Sequence, residues 1–188
     1  MNKVLIQCTI ASALGGLLFG YDTVIINGAM LDLVRHFNLT PAIQGWTVSS
    51  ALVGCILGTI LMGKPGDIFG AQRLLQLLAV LFLISAIGCG LAPTIDVFII
   101  FRFIGGLAIG GASVICPVYI SEISPPKHRG LLASTFQLAI VFGILLSLIS
   151  NYLLLNIGEN NWRWMLFSGA LPAVAFFIML FILSFKLF

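Results

Sequence analysis

The sequence predicts an all-α membrane protein of six transmembrane helices, arranged as two inverted three-helix repeats, and three observations carry that expectation. Of 188 residues, 60% are hydrophobic and only 8% charged, against about 25% charged in a soluble domain. Charges and Pro/Gly clusters divide the chain into six apolar stretches, each near the roughly 20 residues that a helix needs to cross a bilayer. The first three stretches also resemble the last three: GGLLFG at Gly15 to Gly20 is matched by GGLAIG at Gly105 to Gly110, a shift of 90, and ALVGCIL from Ala51 roughly matches AIVFGILL from Ala139. An odd number of spans per repeat inverts the second copy. Strands are not expected, because the alternation of a membrane barrel is absent and open backbone is excluded from lipid.

The first span, about Val4 to Met30, contains Asp22, whose nearest charged neighbours in sequence are Lys3 and Asp32. A charge in hydrocarbon costs about 3 kcal/mol on insertion scales, so it normally faces a protein interior or a watery cavity. The second span covers about Gln44 to Met62 and the third Leu74 to Leu91, with Asp67 and Arg73 in the short connection between them. The fourth, about Val97 to Ile120, carries Arg102 and also Pro117, which is expected to kink or unwind its inner end. The fifth runs from about Leu131 to Leu155 and holds Gln137. The sixth runs from about Met165 to Phe185. Gly16-x-x-x-Gly20, Gly54-x-x-x-Gly58 and Gly106-x-x-x-Gly110 each place small residues one turn apart, a spacing that permits close helix approach.

An even number of spans puts both termini on one side. Placing them in the cytoplasm assigns Lys3, Lys64, Arg73, Lys127, Arg129 and Lys186 inside, against Arg35 and Arg163 outside, with Arg102 left within a span. That bias follows the positive-inside rule, and Trp46, Trp162 and Trp164 then fall at outer span ends, as an interfacial belt would have them.

In this frame Asp22 and Arg102 both lie roughly 9 to 12 Å below the outer surface, at 1.5 Å of rise per residue. Equal depth and opposite sign make them expected partners. The pair could be a structural clamp between two helices, Arg102 could instead snorkel to the headgroups, or Asp22 could take up and release a proton as access alternates. Gln137 lies about 12 Å from the cytoplasmic end, where an amide suits either a hydroxyl-rich ligand or an interhelical hydrogen bond. Glu122, Lys127 and Arg129 flank Pro125-Pro126 at the inner ends. There they are either solvated or paired across the cytoplasmic mouth.

Composition also excludes function classes. No basic patch speaks for nucleic acid. Cys8, Cys55, Cys89 and Cys116 sit in separate apolar stretches without metal or disulfide spacing and read as small core residues. No nucleophile with an adjacent base, metal cluster or phosphate loop speaks for an enzyme, and no cofactor is expected.

The run of Arg102, Gly106, Gly110, Pro117, Tyr119, Glu122 and Arg129-Gly130 resembles the signature of the sugar porter family of the major facilitator superfamily. GGLLFGYDTVIINGA, the glutamine of STFQLAIVFG and Trp162-Arg163-Trp164 match it too. The resemblance covers essentially the whole chain and implies the N-terminal six-helix half of a sugar transporter working by alternating access in the plasma (inner) membrane. It implies that Asp22 carries a proton regulated by Arg102, since uniporters of the family tend to lack that acid. Gln137 matches a sugar-bonding glutamine and Phe19 an aromatic packed near the sugar, a monosaccharide. Glu122 and Arg129, with Asp67, match a cytoplasmic salt-bridge gate.

Two departures stand out. In the connection between spans two and three, Gly63, Asp67 and Gly70 keep the family pattern G-x-x-x-D-R-x-G-R-R, but Ile68, Ala71 and Gln72 replace its basic positions and Arg73 is displaced. The chain also ends at FILSFKLF, where the family continues into six more spans. The expectation is therefore a half-transporter needing a second six-helix half or a homodimer. The alternative is a truncated, non-transporting membrane protein or interaction partner that keeps the fold.

Overall fold

The computed structural model describes residues 3–158 and 160–187, with the side chains of 3, 4, 67 and 185–187 excepted. Among the described residues all regular structure is helical: α1 Lys3–Phe37, α2 Pro41–Phe69, α3 Ala71–Leu91, α4 Ile95–Ile123, α5 Arg129–Leu154, α6 Asn161–Ser168 and α7 Ala170–Leu187. Six units are long and apolar enough to cross a membrane, α6 and α7 together forming the sixth across Gly169. The fold is the six-helix membrane bundle that the sequence predicts.

The helices overrun the apolar stretches because helix ends follow local stop signals, whereas hydropathy marks only the part suited to lipid. Helix α1 continues past Met30 until Asn38, which turns left-handed at φ 51° as a C-terminal stop residue does. Thr40 caps α2, its hydroxyl accepting from Ile43 N–H, with Pro41 in the first turn. At its other end α2 runs through Pro65 to Phe69, and Gly70 alone, at φ 86°, joins it to α3. Asp67 is thus helical and Arg73 stands in the first turn of α3, not in a connecting loop. Helix α4 starts at a Thr94 cap, and its helical assignment continues through Pro117 without unwinding.

The broadest contacts join α1 to α5 and α2 to α4; α1 also meets α4, and α3 packs on α4, α6 and α7. Glycine sets both seams. A Cβ on Gly20 would enter the carbonyl of Ile140, and one on Gly110 that of Cys55; Gly16 and Gly106 face the carbonyls of Phe136 and Ala51, while Gly143 and Gly58 face those of Leu17 and Leu107. Each contact maps onto its counterpart by a shift of 90 from α1 to α4 and of 85 from α2 to α5. The inverted repeat is therefore built into the packing. Its register on the second helix differs by three residues from the Ala51–Ala139 match, because apolar letters resemble one another at any offset whereas backbone approach does not.

Two apolar clusters fill the interior. One joins Leu18, Phe82, Cys116, Phe136 and Phe176, and the other, toward the α6 end, joins Tyr21, Leu33, Phe98, Trp162 and Met165. Trp162 is fully buried between His36, Phe37 and Phe98, with the Arg163 guanidinium 4.3 Å from its ring centre. It is a core anchor, not a belt residue; only Trp46 and Trp164 are exposed. Arg163 also donates to Gly90 O at 2.8 Å, satisfying an end carbonyl of α3.

Candidate functional site

Asp22 on α1 and Arg102 on α4 meet where these two helices pack. Arg102 Nη1 donates to both carboxylate oxygens, each at 2.9 Å. One nitrogen serves both oxygens, so the contact is not the two-nitrogen fork that arginine can form with a carboxylate. The arginine side chain is 4% exposed and the aspartate 21%. Burial to that degree rules out snorkelling by Arg102: the cation is inside the protein, and what exposure the pair has is on the aspartate side.

Helix α3 holds the arginine segment in place. Ser85 Oγ donates to Phe101 O at 2.7 Å, and Gly105 leaves room for the serine, since a Cβ there would strike it. Beside the pair, Tyr21 and Ser168 hydroxyls lie 2.6 Å apart and Ser150 donates to Ser168 at 3.1 Å. Ser168 gives its own proton to Met165 O, so Tyr21 is the donor of its bond. These three hydroxyls tie α1 to α5 and α6 one residue from Asp22. Sequence reasoning missed them because the partners are far apart in the chain.

The repeat relation carries Asp22 onto Ala112 and Arg102 onto Ser12. The equivalent place on the other side of the pseudo-symmetric bundle is therefore uncharged.

Phe19 lies between Gly16 and Gly20, and Gln137 between Phe136 and Ile140, so both stand at one level of the α1–α5 seam. Phe19 is half-buried and Gln137 exposed. Thr23 and Asn27, also exposed, continue from Phe19 at four-residue spacing on one face of α1, with Asp22 at its edge. That polar face was legible as periodicity in GYDTVIING and was overlooked. Glu122 in the last turn of α4 and Arg129 at the start of α5 are both exposed. Among the described residues the ion pairs are Asp22–Arg102 and Asp32–Arg35, so Glu122 and Arg129 are not joined. The Asp67 side chain lies outside the described residues. No group of three or more potential metal ligands occurs among those described, and the four cysteines are free.

Six membrane helices in two inverted triplets, with a charged pair between α1 and α4, define one half of a major facilitator fold in an integral, multi-pass membrane protein. The chain belongs to the sugar transporter family: residues 8–184 match the family described as Sugar (and other) transporter. It is 45% identical over 166 residues to a D-xylose transporter of Levilactobacillus brevis, covering 88% of this chain and 36% of that protein. It is 40% identical over 183 residues to an arabinose-proton symporter of Bacillus subtilis, covering 94% of this chain and 39% of that one. The partially occluded, inward-open structure of the xylose transporter XylE from E. coli superposes with a TM-score of 0.90 at 35% identity, over 96% of this chain and 50% of that one. The chain thus spans no more than half the length of these relatives.

Proposed function

We propose that the chain is one half of a proton-coupled sugar symporter. Its 188 residues act as a single six-helix bundle that moves a monosaccharide together with a proton by alternating access. It works with a second six-helix half or a second copy of itself, in the plasma (inner) membrane with both termini cytoplasmic. The six-to-two excess of basic residues toward the terminal side supports that orientation.

The observation that carries the reading is a partly exposed carboxylate bonded to a buried arginine, at the edge of an uncovered polar face within a membrane span. Asn27 and Gln137 are poorly suited to lipid, which offers no hydrogen bonds, and well suited to a watery path between two halves. In this role Asp22 takes the proton and Arg102 sets how readily it does so. Protonation leaves the arginine without its counter-ion, an expensive state inside a protein, so proton uptake and rearrangement of α1 against α4 are energetically linked. Gln137 and Phe19 offer the sugar an amide and an aromatic wall. Asp67, Glu122 and Arg129 serve the cytoplasmic gate, pairing when that mouth is closed. The names of the relatives, which include a D-xylose transporter, a glucose transport protein and an arabinose-proton symporter, support a monosaccharide without choosing among them.

The test is sugar uptake into proteoliposomes under an imposed pH gradient, with the chain alone and with a second six-helix half. Uptake that persists down a sugar gradient but loses its dependence on the pH gradient in folded Asp22→Asn supports symport. Unchanged uptake overturns it.

A further inference from the structure

Arg102 spends only Nη1 on Asp22; its Nε is buried and makes no hydrogen bond among the described residues. A buried donor of this kind is normally satisfied by protein or by ordered water. Arg102 also lines a cavity of about 20 Å3 together with Tyr21, Asp22, Ser85, Ala86 and Gly169, above the roughly 10–15 Å3 that one water molecule requires. Ser85 gives its proton to Phe101 O, so its oxygen is left as an acceptor. The lining also includes apolar Leu18, Ile25, Phe82 and Leu166, and Arg102, Ser85 and Asp22 supply it with one charged donor, one hydroxyl acceptor and one carboxylate, enough to hold a water by three hydrogen bonds.

We propose that this cavity is a binding site for a single water molecule, which accepts from Arg102 Nε and donates to Ser85 Oγ and the Asp22 carboxylate. Its role rests on the proton-coupling reading above. When Asp22 is neutral, the guanidinium loses its anionic partner, and the water with Ser85 still holds it in register on α4. The walls opposite Arg102 come from α3 and from the α6–α7 junction, so movement of either would open or close the site.

The site is testable without transport. In the full chain, labelled with 15N at arginine Nε and placed in lipid nanodiscs, the Arg102 signal is identified by its loss in Arg102→Lys. A nuclear Overhauser cross-peak from water to that Nε–H is expected. Gly169→Ala puts a methyl 3.2 Å from Leu166 O, 3.8 Å from the Tyr21 ring and 3.9 Å from Ala86 Cβ, and Ala86→Val adds bulk to the same lining from α3. Each variant is expected to weaken the cross-peak by roughly tenfold while the Arg102 signal itself persists. Absence of the cross-peak in the unaltered chain, or full intensity in both variants, overturns the proposal. Because no uptake is measured, its failure is distinct from that of the symport assignment, which Asp22→Asn tests in proteoliposomes.

Discussion

Replacing Asp22 by asparagine keeps the side-chain size and removes the charge that Arg102 Nη1 contacts at 2.9 Å through both oxygens. One of those oxygens becomes an NH2 group, a donor facing a donor, and the guanidinium keeps a single neutral acceptor while 4% exposed. Removing one partner of a buried ion pair costs about 3–5 kcal/mol. The lower end applies here, because an acceptor oxygen remains and the Asp22 side chain is 21% exposed, which sets the expected loss near 3 kcal/mol. At 1.4 kcal/mol per tenfold, the folding equilibrium falls roughly 100-fold. The assay is unfolding of the chain in detergent or nanodiscs, followed by fluorescence of the buried Trp162. The second arm is Asp22→Asn with Arg102→Gln, which replaces an uncompensated cation by a neutral amide pair. It is expected to recover at least half of the loss, the departure from additivity that contacting residues show. A shift below about 0.5 kcal/mol for Asp22→Asn, the range of an unremarkable surface change, would refute the claim that this carboxylate compensates a buried cation. A double variant less stable than the single one would refute it as well.

Gly20→Ala and Gly110→Ala should each cost about 1–3 kcal/mol as overpacking, because their Cβ atoms meet the Ile140 and Cys55 carbonyls, while Gly45→Ala and Gly130→Ala meet nothing within 4 Å; the same unfolding assay separates the two groups. Trp162→Ala empties a fully buried site and is expected to cost about 3–5 kcal/mol, read from unfolding followed by circular dichroism because the fluorescent probe is gone. Trp164→Ala, at 57% exposure, should stay within about 0.5 kcal/mol. Gln137→Ala leaves the packing untouched, since the side chain is exposed; in a transporting assembly it should raise the KM for sugar severalfold with unfolding unchanged, and an unaltered KM would remove Gln137 from the sugar site.

Much of this molecule was legible in its sequence. The six spans follow from composition and length alone, because a bilayer imposes the same demand on every segment independently. The Asp22–Arg102 pair was legible from depth and sign, since two opposite charges at one level of a low-dielectric medium have few alternatives to each other. Gln137 and Phe19 are proposed for the sugar on family resemblance, and the Thr23–Asn27 face could have been found by helical spacing from Phe19.

Tertiary structure decided what depends on rotation about each helix axis. A lipid-facing leucine and a core leucine are equally apolar, so hydropathy does not tell which face turns inward. That is why three tryptophans read alike as interfacial until the packing buried Trp162 and exposed Trp46 and Trp164. It is also why Arg102 could have snorkelled in sequence yet is enclosed between α1, α3 and α4. The repeat was visible at Gly15–Gly20 and Gly105–Gly110, but its register on α2 and α5 emerged only from which carbonyl each glycine approaches. Sequence by itself determined how deep each residue lies in the membrane; only the packed bundle decided which neighbour it meets there, because depth belongs to one chain segment and contact belongs to two.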